Sequence, residues 1–149
     1  MTKKVFGRHG SRWVALQGLY AWQLSGAPLS RIEEDLRSGF HLEEKISFDK
    51  DYFHELMMAI FYQQDELDQL MLPYVDRGLS EIQPIEHAIL WIAFYELKNK
   101  IETPAKVIIN EAIILAKEFG ATESHKFING VLDKAAKIIR EREWKACPA

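Results

Sequence analysis

"IEHAILWIAFYEL", residues 85 to 97, decides the fold class. Wound as a helix at about 100° per residue, this stretch is apolar almost all the way round, and such a helix needs neighbours on most of its sides. Residues 85–97 are therefore read as the central helix of an α-helical core.

Helical signals continue toward the C-terminus. In "TPAKVIINEAIILAKEFG", residues 103–120, Thr103 suits an N-cap, Pro104 the first helical position and Gly120 the C-terminal cap. Lys106, Asn110, Glu111, Lys117 and Glu118 form one polar stripe, which predicts a mostly buried helix with one exposed edge. In the next helix Phe127, Ile128, Val131, Leu132, Ala135, Ile138 and Ile139 cover an arc of about 140° and define its inward face. Gly130 in its interior costs roughly 1 kcal/mol relative to Ala. Close approach of another backbone is the expected compensation.

Toward the N-terminus, residues 49–71 have helical periodicity, with Tyr52, Phe53, Leu56, Ile60, Leu67 and Leu70 inward, and Pro73 ends or breaks the helix. "SRIEEDL" offers Ser30 and Glu33 as a capping box for a short helix. "SRWVALQGLYAWQL" places Leu16, Leu19, Tyr20 and Gln23 at helical spacing, and "SGAP" stops it. No alternating period-2 segment of convincing length remains. The sequence thus predicts an all-α domain of about six or seven helices.

The 149-residue length fits one domain, 1–149, and 48% hydrophobic with 28% charged residues is an ordinary globular composition. The only cysteine, Cys147, allows no internal disulfide and no multi-thiolate metal site, so a reducing cytoplasm is the expected compartment. No apolar run approaches the roughly 20 residues of a spanning helix, and Lys3-Lys4 is not followed by a signal-peptide core. No membrane association or export is expected.

Charge is unevenly distributed within a net −3. Residues 1–32 carry five bases and no acid; residues 33–102 carry sixteen acids against six bases; residues 103–149 carry six acids against eight bases. Basic ends and an acidic middle suit an anionic and a cationic partner respectively, although solvated helix faces also produce charge runs.

The start of the helix in "GATESHKFINGVLDKAAK", residues 120–137, draws the same distinction. Free N–H groups and the positive helix end attract anions at Thr122–Phe127, Lys126 adds charge, and His125 and Phe127 add flat faces for bases. Phe127 also lies on the apolar arc, so core and stacking platform are both open to it.

His9, His41, His54, His87 and His125 fall in no metal-ligand spacing, and no HExxH, CxxC, EF-hand, Walker A, GxGxxG or GxSxG pattern occurs. Adjacent acids such as Glu33-Glu34 and Glu43-Glu44 lack the divergent environments that acid–base catalysis needs. The residues therefore suggest a binding module, with no catalytic site, metal or cofactor.

"INEAIILAKEFGATESHKFINGVLDKAA", "IEHAILWIAFYEL" and "ALQGLYAWQ" together resemble the signature blocks of the NusB transcription antitermination factors, over nearly the whole chain. The resemblance implies two packed helical bundles, no enzymatic activity, and binding of boxA-type single-stranded RNA together with the ribosomal protein NusE. It also implies a role in the RNA polymerase antitermination complex on ribosomal RNA operons. Carried to matching positions, RNA contacts fall on Lys4, Arg8, Arg12, Tyr20, Lys126 and Phe127, with Tyr74 and Glu123 as neighbours. The NusE-facing acidic surface falls on Glu86 and Glu81. Where the family often has a dense arginine run, this chain reads "GRHGSR", so residues 1–10 are expected to be a flexible basic arm, and RNA binding by the protein alone is expected to be weak. Two alternatives stay open: a stand-alone relative of the NusB-like domain of ribosomal RNA cytosine methyltransferases, and a helical protein-interaction module without RNA affinity.

Overall fold

A computed structural model describes residues 7–38 and 47–146. It contains α1 (Gly7–Ser25), α2 (Leu29–Arg37), α3 (Lys50–Met71), α4 (Pro84–Asn99), α5 (Ala105–Phe119), α6 (Ser124–Ile139) and α7 (Glu141–Ala146). Short 3-10 turns at Leu72–Tyr74 and Leu79–Glu81 lie between α3 and α4, and no strand occurs among the described residues. The fold is all-α. Two compact units divide the chain, Met1–Tyr62 and Gln63–Ala149, with the boundary inside α3. Lys4, His41, Glu43-Glu44 and Cys147 lie outside the described residues.

In the first unit α1 packs on α2, burying Val14, Ala15, Leu16 and Leu19. Gly26, at φ +66°, takes the left-handed conformation that stops α1. α1 already begins at Gly7, so residues 7–10 are helix and not a flexible arm. Gly10 has a packing role instead: a Cβ there would meet the Ser47 carbonyl oxygen at 2.8 Å. Ser11 Oγ donates its one proton to the Asp49 carbonyl at 2.6 Å, with the Gly7 carbonyl at 3.2 Å as the alternative acceptor, fastening α1 to the start of α3. Asp49 caps α3, its Oδ1 accepting from the N–H groups of Asp51 and Tyr52, both at 3.1 Å.

The Ser30–Glu33 capping box does not form. Pro28 is the N-cap of α2, which places Ser30 inside the helix, and Glu33 Oε1 instead accepts from His54 Nδ1 at 2.6 Å on α3. A tertiary partner has won over a local one.

The second unit is built on α4, where every residue from Ala88 to Leu97 is buried. α5 and α6 pack against it and against each other. α5 begins one residue later than expected, with Pro104 and not Thr103 as its N-cap, and it is less buried than expected: its buried residues are Ala105, Ile108, Ala112, Leu115 and Ala116, and Val107 is 43% exposed. The Ala105 N–H donates to Glu143 Oε1 at 2.7 Å, so this helix is capped from α7. On α6 the buried residues are Ser124, Ile128, Val131, Leu132, Ala135 and Ala136, an inward face rotated by about 40° from the expected arc. Ile138 is correspondingly 66% exposed and Phe127 only half-buried. Gly130 is exposed, and a Cβ there would meet nothing within 4 Å, so no backbone among the described residues compensates its cost.

Arg140, 5% exposed, closes this unit. Its Nε donates to the Leu97 carbonyl (2.7 Å), Nη1 to the Thr103 carbonyl (3.0 Å) and Glu143 Oε2 (2.8 Å), and Nη2 to the carbonyls of Glu96 (3.1 Å) and Lys100 (2.8 Å). A guanidinium has five N–H donors, and all of them are used. The Glu96 and Lys100 carbonyls also accept from the N–H groups of Lys100 and Thr103, both at 2.9 Å, whereas the Leu97 carbonyl has Arg140 as its one donor among the described residues.

Candidate nucleic-acid interface

The expected RNA residues fall in both units. In the first, Arg8 stands in the opening turn of α1, exposed, with its guanidinium 4.3 Å from the centroid of the Tyr52 ring. Arg12, one turn on, is 4% exposed and 5.8 Å from the same ring. Its charge is therefore part of the packing between α1 and α3 and cannot meet phosphates as a free arm would. Tyr20, 36% exposed, remains accessible further along α1.

In the second unit the relevant residues gather at the start of α6. Glu123 is the N-cap, and its Oε2 pairs with Lys126 Nζ at 2.9 Å, both side chains largely exposed. Such a surface pair is weak and gives way readily to a stronger anion. The turn carrying Tyr74 packs on α6, while the Tyr74 ring stacks on Phe94 with centroids 6.2 Å apart and planes inclined by 25°. Phe127 is covered on one face by Arg77, whose guanidinium carbon lies 3.8 Å from the ring centroid.

Glu86 occupies a different place from the one expected. It is 5% exposed, with Oε1 accepting from the Gln83 N–H (3.4 Å) and Oε2 from Ser124 Oγ (2.8 Å), while Arg77 Nη1 stands 3.9 Å from Oε1. A carboxylate engaged in this way offers no surface to a partner; it fixes the start of α6 against the start of α4. Glu81 is exposed, with one oxygen accepting from the Gly78 N–H at 3.3 Å.

The sequence pattern of the NusB family matches residues 9–137. The chain belongs to the NusB family. The transcription antitermination protein NusB of Pseudoalteromonas atlantica is 46% identical over 140 residues, covering 94% of this chain and 98% of that protein. A solved NusB structure from T. maritima aligns with a TM-score of 0.79 at 25% identity, covering 97% of this chain and 99% of that one. A structure of the antitermination factors NusB and NusE in complex with dsRNA aligns with a TM-score of 0.73 over 87% of this chain and 96% of that chain; at 21% identity this is a likeness of fold. The NusB match spans nearly all of α1 and most of α6, and so takes in the residues of both candidate surfaces except Lys4 and Arg8.

Two residues at these surfaces were not singled out from the sequence. Tyr52 reads there only as an inward residue of α3, and Arg77 carries no reading of its own. Each acquires its role from a partner far along the chain, and no local pattern announces such a pairing.

Proposed function

We infer that this chain is a transcription antitermination factor that binds boxA-type single-stranded RNA together with the ribosomal protein NusE, within the RNA polymerase antitermination complex of ribosomal RNA operons. Its role is recognition in the cytoplasm, without a catalytic step. The observation that carries this reading is the start of α6, where Lys126, the half-buried Phe127 and the overlying Arg77 combine positive charge with flat faces beside a helix N-terminus. Unpaired bases can reach such faces, whereas bases stacked in a duplex cannot, which favours single strands.

Family membership supports the partner as well as the RNA. NusE as a basic partner suits the acidic stretch 33–102, where Glu81 is exposed. The test is a pair of titrations, with boxA-like and scrambled RNA, each run with and without NusE. Preference for the boxA-like strand that sharpens with NusE is expected. Equal, weak binding of both strands in both conditions would refute the assignment.

A further inference from the structure

The face of Phe127 that turns toward Arg77 is already occupied. At 3.8 Å from the ring centroid the guanidinium carbon is in stacking contact, so a base arriving from that side meets Arg77 before it can meet the ring. The guanidinium is also held in place. Nε donates to Asp76 Oδ1 at 3.1 Å, and Nη1 stands 3.9 Å from Glu86 Oε1, a carboxylate itself fixed by Ser124.

What this arrangement leaves over is informative. The Arg77 side chain is 33% exposed, and among the described residues its Nη2 has no hydrogen-bond or ion-pair partner. Two carboxylates nearby offset its charge, which makes it a poor phosphate clamp. They leave its plane intact, and a pre-oriented guanidinium plane is a stacking surface for a base.

We propose that Arg77 contacts RNA directly: with Phe127 behind it, the guanidinium stacks on one unpaired base of a single-stranded RNA, and Nη2 donates to that nucleotide. The proposal rests on the RNA-binding reading above and names the side chain that delivers it.

The test uses the full chain with NusE, the variant Arg77→Lys, and a set of boxA-like RNAs each lacking one base. Lysine keeps the charge but has neither plane nor fork. Arg77→Lys should bind the complete RNA about 5- to 150-fold more weakly, the range for losing one base–side-chain stack, with an unchanged salt dependence. On the one RNA that lacks the stacked base, the variant and the unaltered protein should bind alike. Titrations run well below the variant's melting temperature keep a folding defect from imitating this position-specific result. Unchanged affinity, or the same loss on every base-deleted RNA, overturns the proposal and leaves the RNA-binding function standing if Lys126→Ala still weakens binding. If the unaltered protein does not prefer boxA-like over scrambled RNA, the function falls and the proposal with it.

Discussion

Ser124 Oγ donates to Glu86 Oε2 across 2.8 Å, joining the first turn of α6 to the first turn of α4 in a buried contact between residues 38 apart in sequence. The residues at the start of α6 are thereby set on a rigid base. A flexible terminus would have to be ordered on each binding event, at a cost in conformational entropy.

Glu86→Lys places a cation beside Arg77 and leaves Ser124 and the Gln83 N–H without their acceptor. A loss of about 3 to 5 kcal/mol is expected, the scale for an uncompensated buried charge, whereas Ser124→Ala should cost about 1 kcal/mol. Urea unfolding distinguishes them. A Glu86→Lys protein as stable as the parent, but deficient in NusE binding, would return Glu86 to the partner surface.

Arg8 and Arg12 should behave differently although only four residues apart. Arg8→Ala is expected to lower the salt dependence of RNA binding by about one counterion unit at nearly constant stability. Arg12→Ala is expected to lose about 1 to 3 kcal/mol of folding stability, because that side chain is buried. Thermal melts beside salt-series titrations decide it, and equal melting temperatures would contradict the assignment of Arg12 to the packing.

The glycines at 10 and 130 predict opposite signs. Gly10→Ala pushes a methyl group against the Ser47 carbonyl and should destabilise by roughly 1 to 3 kcal/mol. Gly130→Ala meets nothing within 4 Å and should stabilise by about 0.4 to 1 kcal/mol, through helix propensity and a less disordered unfolded chain. Denaturation midpoints give both signs directly.

Arg140→Lys should fail to rescue Arg140→Ala. Three ammonium donors cannot serve the carbonyls of Glu96, Leu97, Lys100 and Thr103 together with Glu143, so both variants should lose about 3 kcal/mol or more. Recovery of most of the stability by lysine would mean that charge alone matters at this position.

These contrasts mark where the sequence is legible. Residues 85–97 announce their burial because composition and period point the same way, whereas α5, read as buried apart from one polar stripe, also exposes Val107. Glu86 does not announce its burial, since a charged letter looks the same whether it faces water or a buried hydroxyl. Ser30 and Thr103 carry local capping signals that lost to His54 and Glu143, partners that only folding brings near. The α6 face turns away from the edge of the expected arc that holds Phe127 and Ile138 and toward Ala136, which is fully buried although a reading by hydrophobicity leaves it outside the arc. Of the candidate RNA residues, Arg8, Tyr20 and Lys126 are accessible as expected, while Arg77 emerges only once Phe127 is seen beneath it.

Arg140 also sets a schedule. The Leu97 carbonyl is made 43 residues before the guanidinium that satisfies it, which at about 5 to 20 residues per second is an interval of roughly 2 to 9 seconds of synthesis. During it the Leu97 carbonyl must keep water as its partner. Nascent chains stalled before Arg140 emerges should be cut by protease in the turn between α4 and α5, and chains carried past Glu143 should resist. The second unit thus reaches its stable form only once translation has delivered its late-made clasp.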